Sequence, residues 1–212
     1  MYVAPPVQLM ATDTSAPSGY SPLLSLALFE SVRALDAHVP DELDEVHLEL
    51  GVKRLGQSST VAAQIERLHR DVRRGDPIPA TDVEALLRLV ARRTDAGLVF
   101  TDAGRRLGRH LIRGLPLPVG IARLVGRQMT RRALRRIGIV LRGAPRPEAV
   151  ATDDLMMRAT PDGAACAFLG AAVAEVMRRL SDFDGAMIHV TCRGRGADAC
   201  VWRPAFASKE TP

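Results

Sequence analysis

The chain has 212 residues, 47% hydrophobic but only 4% aromatic, so it can bury a full core made mostly of Leu, Val, Ala, Ile and Met. Its net charge of +5 comes from 29 basic and 24 acidic residues, and Lys53 and Lys209 are its only lysines, so arginine carries nearly all the positive charge. No run of about 18 apolar residues occurs, which excludes a membrane-spanning helix, and the start lacks the basic-then-apolar pattern of a secretory signal.

Residues 1–20 are rich in Pro, Ser, Thr and Ala and read as a flexible leader. Ser21 before Pro22 is an N-cap followed by proline at the first helical position. Leu24, Leu28, Val32 and Leu35 then share one face of a helix ending near Pro40. A second helix is expected over Asp41 to Leu55, with Asp41, Glu42, Asp44 and Glu45 favouring its N-terminus. A third covers 60–73 and stops at Gly75-Asp76-Pro77-Ile78-Pro79. Thr81 to Arg92 is a fourth, with Thr81 and Glu84 at capping-box spacing.

Residues 100–113 read as helix, Gly114-Leu115-Pro116-Leu117-Pro118 punctuates the chain, and another helix covers 119–135. Ile137, Ile139 and Leu141 then alternate as in a strand, and Leu155 to Ala159 is expected to return beside it. A helix over Ala164 to Leu180 precedes two strands, 186–192 and 199–204. Helices first, then strand–strand–helix–strand–strand, predict an α+β fold: N-terminal helices followed by an antiparallel sheet with packed helices. The expected divisions are a leader at 1–20, a helical region at 21–80 and a sheet-bearing domain at 81–206.

All three cysteines fall in the last quarter of the chain. Cys192 and Cys200 flank a segment with two glycines, which permits a tight hairpin. His189 lies three residues before Cys192, and Cys166 sits on the helix that must pack on the sheet. Three thiolates and one imidazole make a closed tetrahedral zinc set. Residues three apart on an ideal strand face opposite ways, so His189 needs a bulge or a strand end to join Cys192. The spacing equally allows Cys166 to be a small core residue, His189 a satisfied histidine, and the hairpin cysteines free thiols. With no export signal the expected compartment is the cytoplasm, where thiols stay reduced. An odd cysteine count also argues against a disulfide framework.

The stretch His189-Val190-Thr191-Cys192-Arg193-Gly194-Arg195-Gly196-Ala197-Asp198-Ala199-Cys200-Val201-Trp202 resembles the C-terminal signature of the 4-vinyl reductase domain family. That family shows Glu, two residues, Cys, a glycine-containing turn, Cys and an apolar or aromatic residue. A cysteine on the preceding helix, where Cys166 stands, joins them to bind zinc in phenol-sensing bacterial regulators. Here His189 replaces the Glu, and histidine is at least as good a zinc ligand. Upstream, Asp95-Ala96-Gly97 through Leu111, Gly114-Leu115-Pro116 and the Arg-rich helix resemble the bacteriochlorophyll-biosynthesis member. Its aromatic segment is replaced by Arg135-Arg136-Ile137-Gly138-Ile139-Val140. The resemblance covers about 85–204. It implies a fold like that of trafficking subunits and nitric-oxide sensors, with a sheet and helices around an apolar cavity, and a homodimer joined through N-terminal helices. Leu24, Leu28, Val32 and Leu35 are the expected dimer contacts.

No phosphate loop, dinucleotide fingerprint or nucleophile elbow is present. The resemblance then implies a non-catalytic protein that binds a hydrophobic or tetrapyrrole-like small molecule as sensor or carrier, with a structural zinc. Expected pocket residues are Val99, Phe100, Leu107, Leu111, Ile121, Val125, Met129, Phe168 and Trp202, each of which could equally be ordinary core. Arg123, Arg127, Arg131 and Arg135 recur at four-residue steps, as an anion-contact stripe or as a solvated face. His110 reads as a structural histidine rather than a haem ligand. The chain ends soon after the domain, so a signal is expected to pass through a protein effector or a dimer rearrangement. Two rival classes are a reductase of a tetrapyrrole vinyl group and a DNA-binding regulator. The first lacks a visible nucleotide site and the second a helix-turn-helix, so nucleic acid ranks last among partners.

Overall fold

Ser21 caps the first helix as its sequence demands, its hydroxyl accepting from the Leu23 amide at 3.4 Å. Helix α1 runs Pro22–Asp36. The computed structural model describes residues 19–37, 59–116, 121, 125–143, 147–181 and 183–205. Most of the leader, the helix expected over Asp41 to Leu55, and Arg123 lie outside these described residues.

Helices α2 (Ser59–Arg74), α3 (Ala80–Ala91) and α4 (Ala96–Arg113) follow. Next come α5 (Gly126–Arg135), strands β1 (Ile139–Arg142) and β2 (Glu148–Ala151), and the short α6 (Leu155–Ala159). The chain closes with α7 (Cys166–Leu180), β3 (Ala186–Thr191), a 3-10 turn at Arg193–Arg195, and β4 (Cys200–Ala205). The four strands form one antiparallel sheet in the order β1-β2-β4-β3. Mixed helices with this sheet make the α+β fold that the sequence predicts.

The layers follow from which faces are apolar. Helix α7 packs on β3 and α5 on β1, α4 lies along α7, and α1 lies on α4 with α2 and α3 beside it. The α4–α7 crossing is close because Gly104 and Gly108 face α7. A methyl group at Gly104 would stand 2.3 Å from the Phe168 carbonyl oxygen and 2.6 Å from the Ala171 Cβ. Phe100, Leu107, Leu111, Phe168 and Trp202 fill the space around this crossing, all buried.

Three expectations are corrected. Leu155 to Ala159 is not the return strand. Asp153 accepts from the Leu155 amide at 2.7 Å and starts a helical turn, while Glu148–Ala151 pairs with β1. The capping box at Thr81 does not form: α3 starts one residue earlier, behind Pro79, and Glu84 instead holds Arg88 and Arg158. Leu24, Leu28 and Val32 are not free for a dimer interface. They are 3%, 0% and 2% exposed because α2, α3 and α4 of the same chain already cover α1, and Leu35 is half-buried on the same core.

Two polar ties fix the helical layer to the rest. The Tyr20 hydroxyl donates to Asp153 at 2.6 Å, and burial with this carboxylate beside it pushes the phenol well above its usual range. Arg93, in the turn before α4, bonds Asp36 at 2.6 Å and Asp95 at 2.7 Å. Among the described residues no helix is long and apolar enough to cross a membrane.

Candidate metal centre

Four elements converge at one end of the sheet. Cys166 is the first residue of α7, His189 lies on β3, Cys192 follows β3, and Cys200 opens β4. On β4, Cys200 and Trp202 alternate onto the face that meets α7, and both are buried. His189 pairs with Trp202 across the strands and so shares that face. An unbroken strand would turn Cys192 away from it. The register shifts between His189 and Thr191, so Thr191 rather than Val190 opposes Val201, and the added residue swings Cys192 back toward the cluster. The bulge that the spacing required is present.

The ligand atoms of Cys166, His189, Cys192 and Cys200 all lie within 4.8 Å of one another. The sulfurs of Cys166 and Cys200 are 3.7 Å apart. Edges of a zinc tetrahedron with sulfur ligands are about 3.8 Å, from metal–sulfur bonds of about 2.3 Å. All three thiols are free and buried, so the cluster is not a disulfide. The His189 ring stacks on Trp202, with centroids 4.9 Å apart and planes 16° from parallel, which fixes its orientation. Its Nε2 is buried and has no hydrogen-bond partner. A buried polar atom without a partner costs about 1–3 kcal/mol unless something satisfies it, and a cation held by the three neighbouring sulfurs would do so. The group can therefore hold a metal ion.

Electrostatics agree with this chemistry. Burial pushes the Cys166 thiol up, and the neighbouring Cys200 and Cys192 push it further. Burial also raises Cys200, although the Arg193 backbone amide pulls the other way. Burial and the Arg195 charge lower His189, which keeps its imidazole neutral and its lone pair available to a metal. Crowded thiols of this kind stay protonated on their own and become thiolates when a divalent cation supplies the countercharge.

Two neighbours escaped the sequence reading. The Met157 sulfur lies 3.9 Å from Cys166 Sγ and 3.7 Å from Cys192 Sγ, closing the apolar side of the cluster. It belongs to α6, where a strand was expected, so no sequence pattern placed it here. Gly163 adopts φ +82, and a methyl group there would stand 3.0 Å from Cys192 Sγ. The Asp162-Gly163 pair is a turn signal that could have flagged this approach.

The other expected site residues separate into groups. Val99, Phe100, Leu107, Leu111, Met129, Phe168 and Trp202 are buried in the continuous core. Ile121 and Val125 are not gathered with them and stand 49% and 42% exposed. A groove of about 340 Å³ opens beside the metal cluster, lined by Thr101, Arg105, Gly170, Met187, His189 and Trp202 among others. On α5, Arg127 donates to the Gly143 carbonyl at 2.8 Å, Arg131 is half-buried with an unpartnered Nε, and Arg135 is exposed. Arg127, Arg131 and Arg135 line one shallow cleft with Arg132. No protein-family model, curated protein or solved structure matches the chain.

Proposed function

We propose that Cys166, His189, Cys192 and Cys200 bind one zinc ion as a closed structural site in a non-catalytic domain that binds a small hydrophobic molecule, as sensor or carrier. The observation that carries the zinc reading is the convergence of three buried free thiols and the His189 imidazole within 4.8 Å, with the ring's Nε2 buried and unpartnered. Sulfur-rich donor sets with one imidazole suit zinc over harder cations. With four protein ligands no position remains for water, so the ion would brace α7 against the β3–β4 hairpin rather than activate a substrate. The binding role rests on the family resemblance and on the groove beside the cluster. Its volume of about 340 Å³ falls within the range of small-molecule sites, and its wall includes the stacked His189–Trp202 pair.

Elemental analysis of untagged, reduced protein tests the metal. About one zinc per chain is expected, lost when Cys192 or Cys200 becomes Ser. Absence of metal after growth and purification with zinc present would overturn the zinc reading. Native mass spectrometry of the same sample tests the second half: a co-purified small apolar mass supports a carrier or sensor, whereas turnover of a vinyl tetrapyrrole with a nicotinamide donor would replace it with an enzyme.

A further inference from the structure

A second cleft is built from helices that take no part in the metal cluster. It lies between the C-terminal halves of α1 and α4 and the middle of α2, and measures about 630 Å³. Four guanidiniums line it, those of Arg33, Arg106, Arg109 and Arg113, with His69 and His110. Among the described residues Glu30 is the one acid on its lining.

Among the described residues, the carboxylates beside these arginines are already engaged. Glu30 receives His110 at 2.8 Å and His69 at 3.7 Å. Burial raises the Glu30 carboxyl, but His110, His69 and Arg106 outweigh it and hold the group ionised below the ordinary range. Asp102 takes Arg106 at 2.6 Å. Among the described residues Arg33, Arg109 and Arg113 have no carboxylate within ion-pairing distance. Arginines placed together on a concave wall repel one another, and a helix surface that needed only solubility would interleave them with acids. Ala34, Ala37 and Ile65 add a small apolar floor. The result is a concave surface of small-molecule size with unspent fork-shaped donors suited to bidentate oxyanion contacts.

We infer that this cleft binds a small organic anion carrying phosphate or carboxylate groups, with Arg33, Arg109 and Arg113 as its charge-pairing residues. Its dimensions favour a compact molecule over a nucleic-acid duplex, which needs an extended basic surface rather than a pocket between three helices. The inference does not depend on the metal site, so either can fail without the other.

The test uses the full chain and two probes, inorganic pyrophosphate and citrate, titrated by calorimetry at matched ionic strength. Saturable one-to-one binding of either is expected. It should weaken at least about tenfold in Arg109→Gln, and likewise in the separate Arg33→Gln/Arg113→Gln variant, whose two side chains are exposed and whose folding is checked by circular dichroism. Arg132→Gln on α5, an arginine outside the cleft, should bind as the parent does. Preference for pyrophosphate identifies a phosphate ligand, and preference for citrate a carboxylate. No saturation by either probe up to about 10 mM, equal weakening in Arg132→Gln, or binding only to duplex DNA through the same arginines would each overturn the inference.

Discussion

His189 is the residue whose environment is most specific. Its ring is held by Trp202, its Nε2 is buried without a partner, and burial keeps it neutral. If that nitrogen ligates a metal, His189→Ala should release it, whereas His189→Glu, which offers a carboxylate oxygen instead, should retain one ion at lower affinity. Competition with a chromophoric chelator separates the two, and equal retention in all three proteins would show that the imidazole is not a ligand. Glu30 offers an independent residue-level test. Its folded-state carboxyl lies below the ordinary value, so it adds stability above about pH 4.3, the unfolded value. That contribution is lost as pH falls through the lower folded value. Glu30→Gln should therefore lower the melting temperature near neutral pH, leave it nearly unchanged at low pH, and so flatten the acid limb of the profile. An unaltered limb would place the acid sensitivity elsewhere.

Among the elements, the α4–α7 contact is the tightest joint. At Gly104 an added methyl group meets backbone, which cannot rotate away, so Gly104→Ala should cost about 1–3 kcal/mol even though alanine is the better helix former. Gly97, at the start of the same helix, faces open space, and Gly97→Ala should gain about 0.5 kcal/mol. Urea denaturation of the pair reads both, and the same sign in both would refute the packing account. Element order, the sheet and the Ser21 cap were legible because periodicity and capping chemistry are local. The ligand set was legible because a hairpin brings cysteines at this spacing together, and even the bulge followed from the strand period. What remained hidden was tertiary. Leu24, Leu28 and Val32 show an apolar face but not which chain covers it. Residues 155–159 are good helix formers and their first amide bonds Asp153, but the run is too short for its periodicity to separate a helical turn from a strand. The basic cleft draws on three helices separated by dozens of residues, so no window of sequence contains it.

At the scale of the whole molecule, a metal held by the cluster would stitch the start of α7 to the β3–β4 hairpin. Metal bound only by the folded chain stabilises it by mass action. Removing it with a strong chelator under reducing conditions should lower the melting temperature by about 10 °C or more. Hydrogen exchange should then show β3, β4 and the start of α7 losing protection while α1 through α3 keep theirs. Uniform loss across the chain would mean that the molecule unfolds as one unit. Among the described residues nothing covers Val140, Ile188 and Val190 on the sheet's far face.

Helix α4 takes part in both halves of this picture. One flank carries Arg106, Arg109 and Arg113 into the basic cleft, and the other presses Gly104 and Gly108 onto α7, whose first residue is Cys166. A joint with no slack transmits displacement instead of absorbing it. Thermodynamic reciprocity then sets a rule for the two ends: whatever factor an anion in the cleft applies to metal affinity, the metal must apply to anion affinity in return. With an anion and a metal both bound, the helix would be a lever with a load at each end, its stiffness readable from either one.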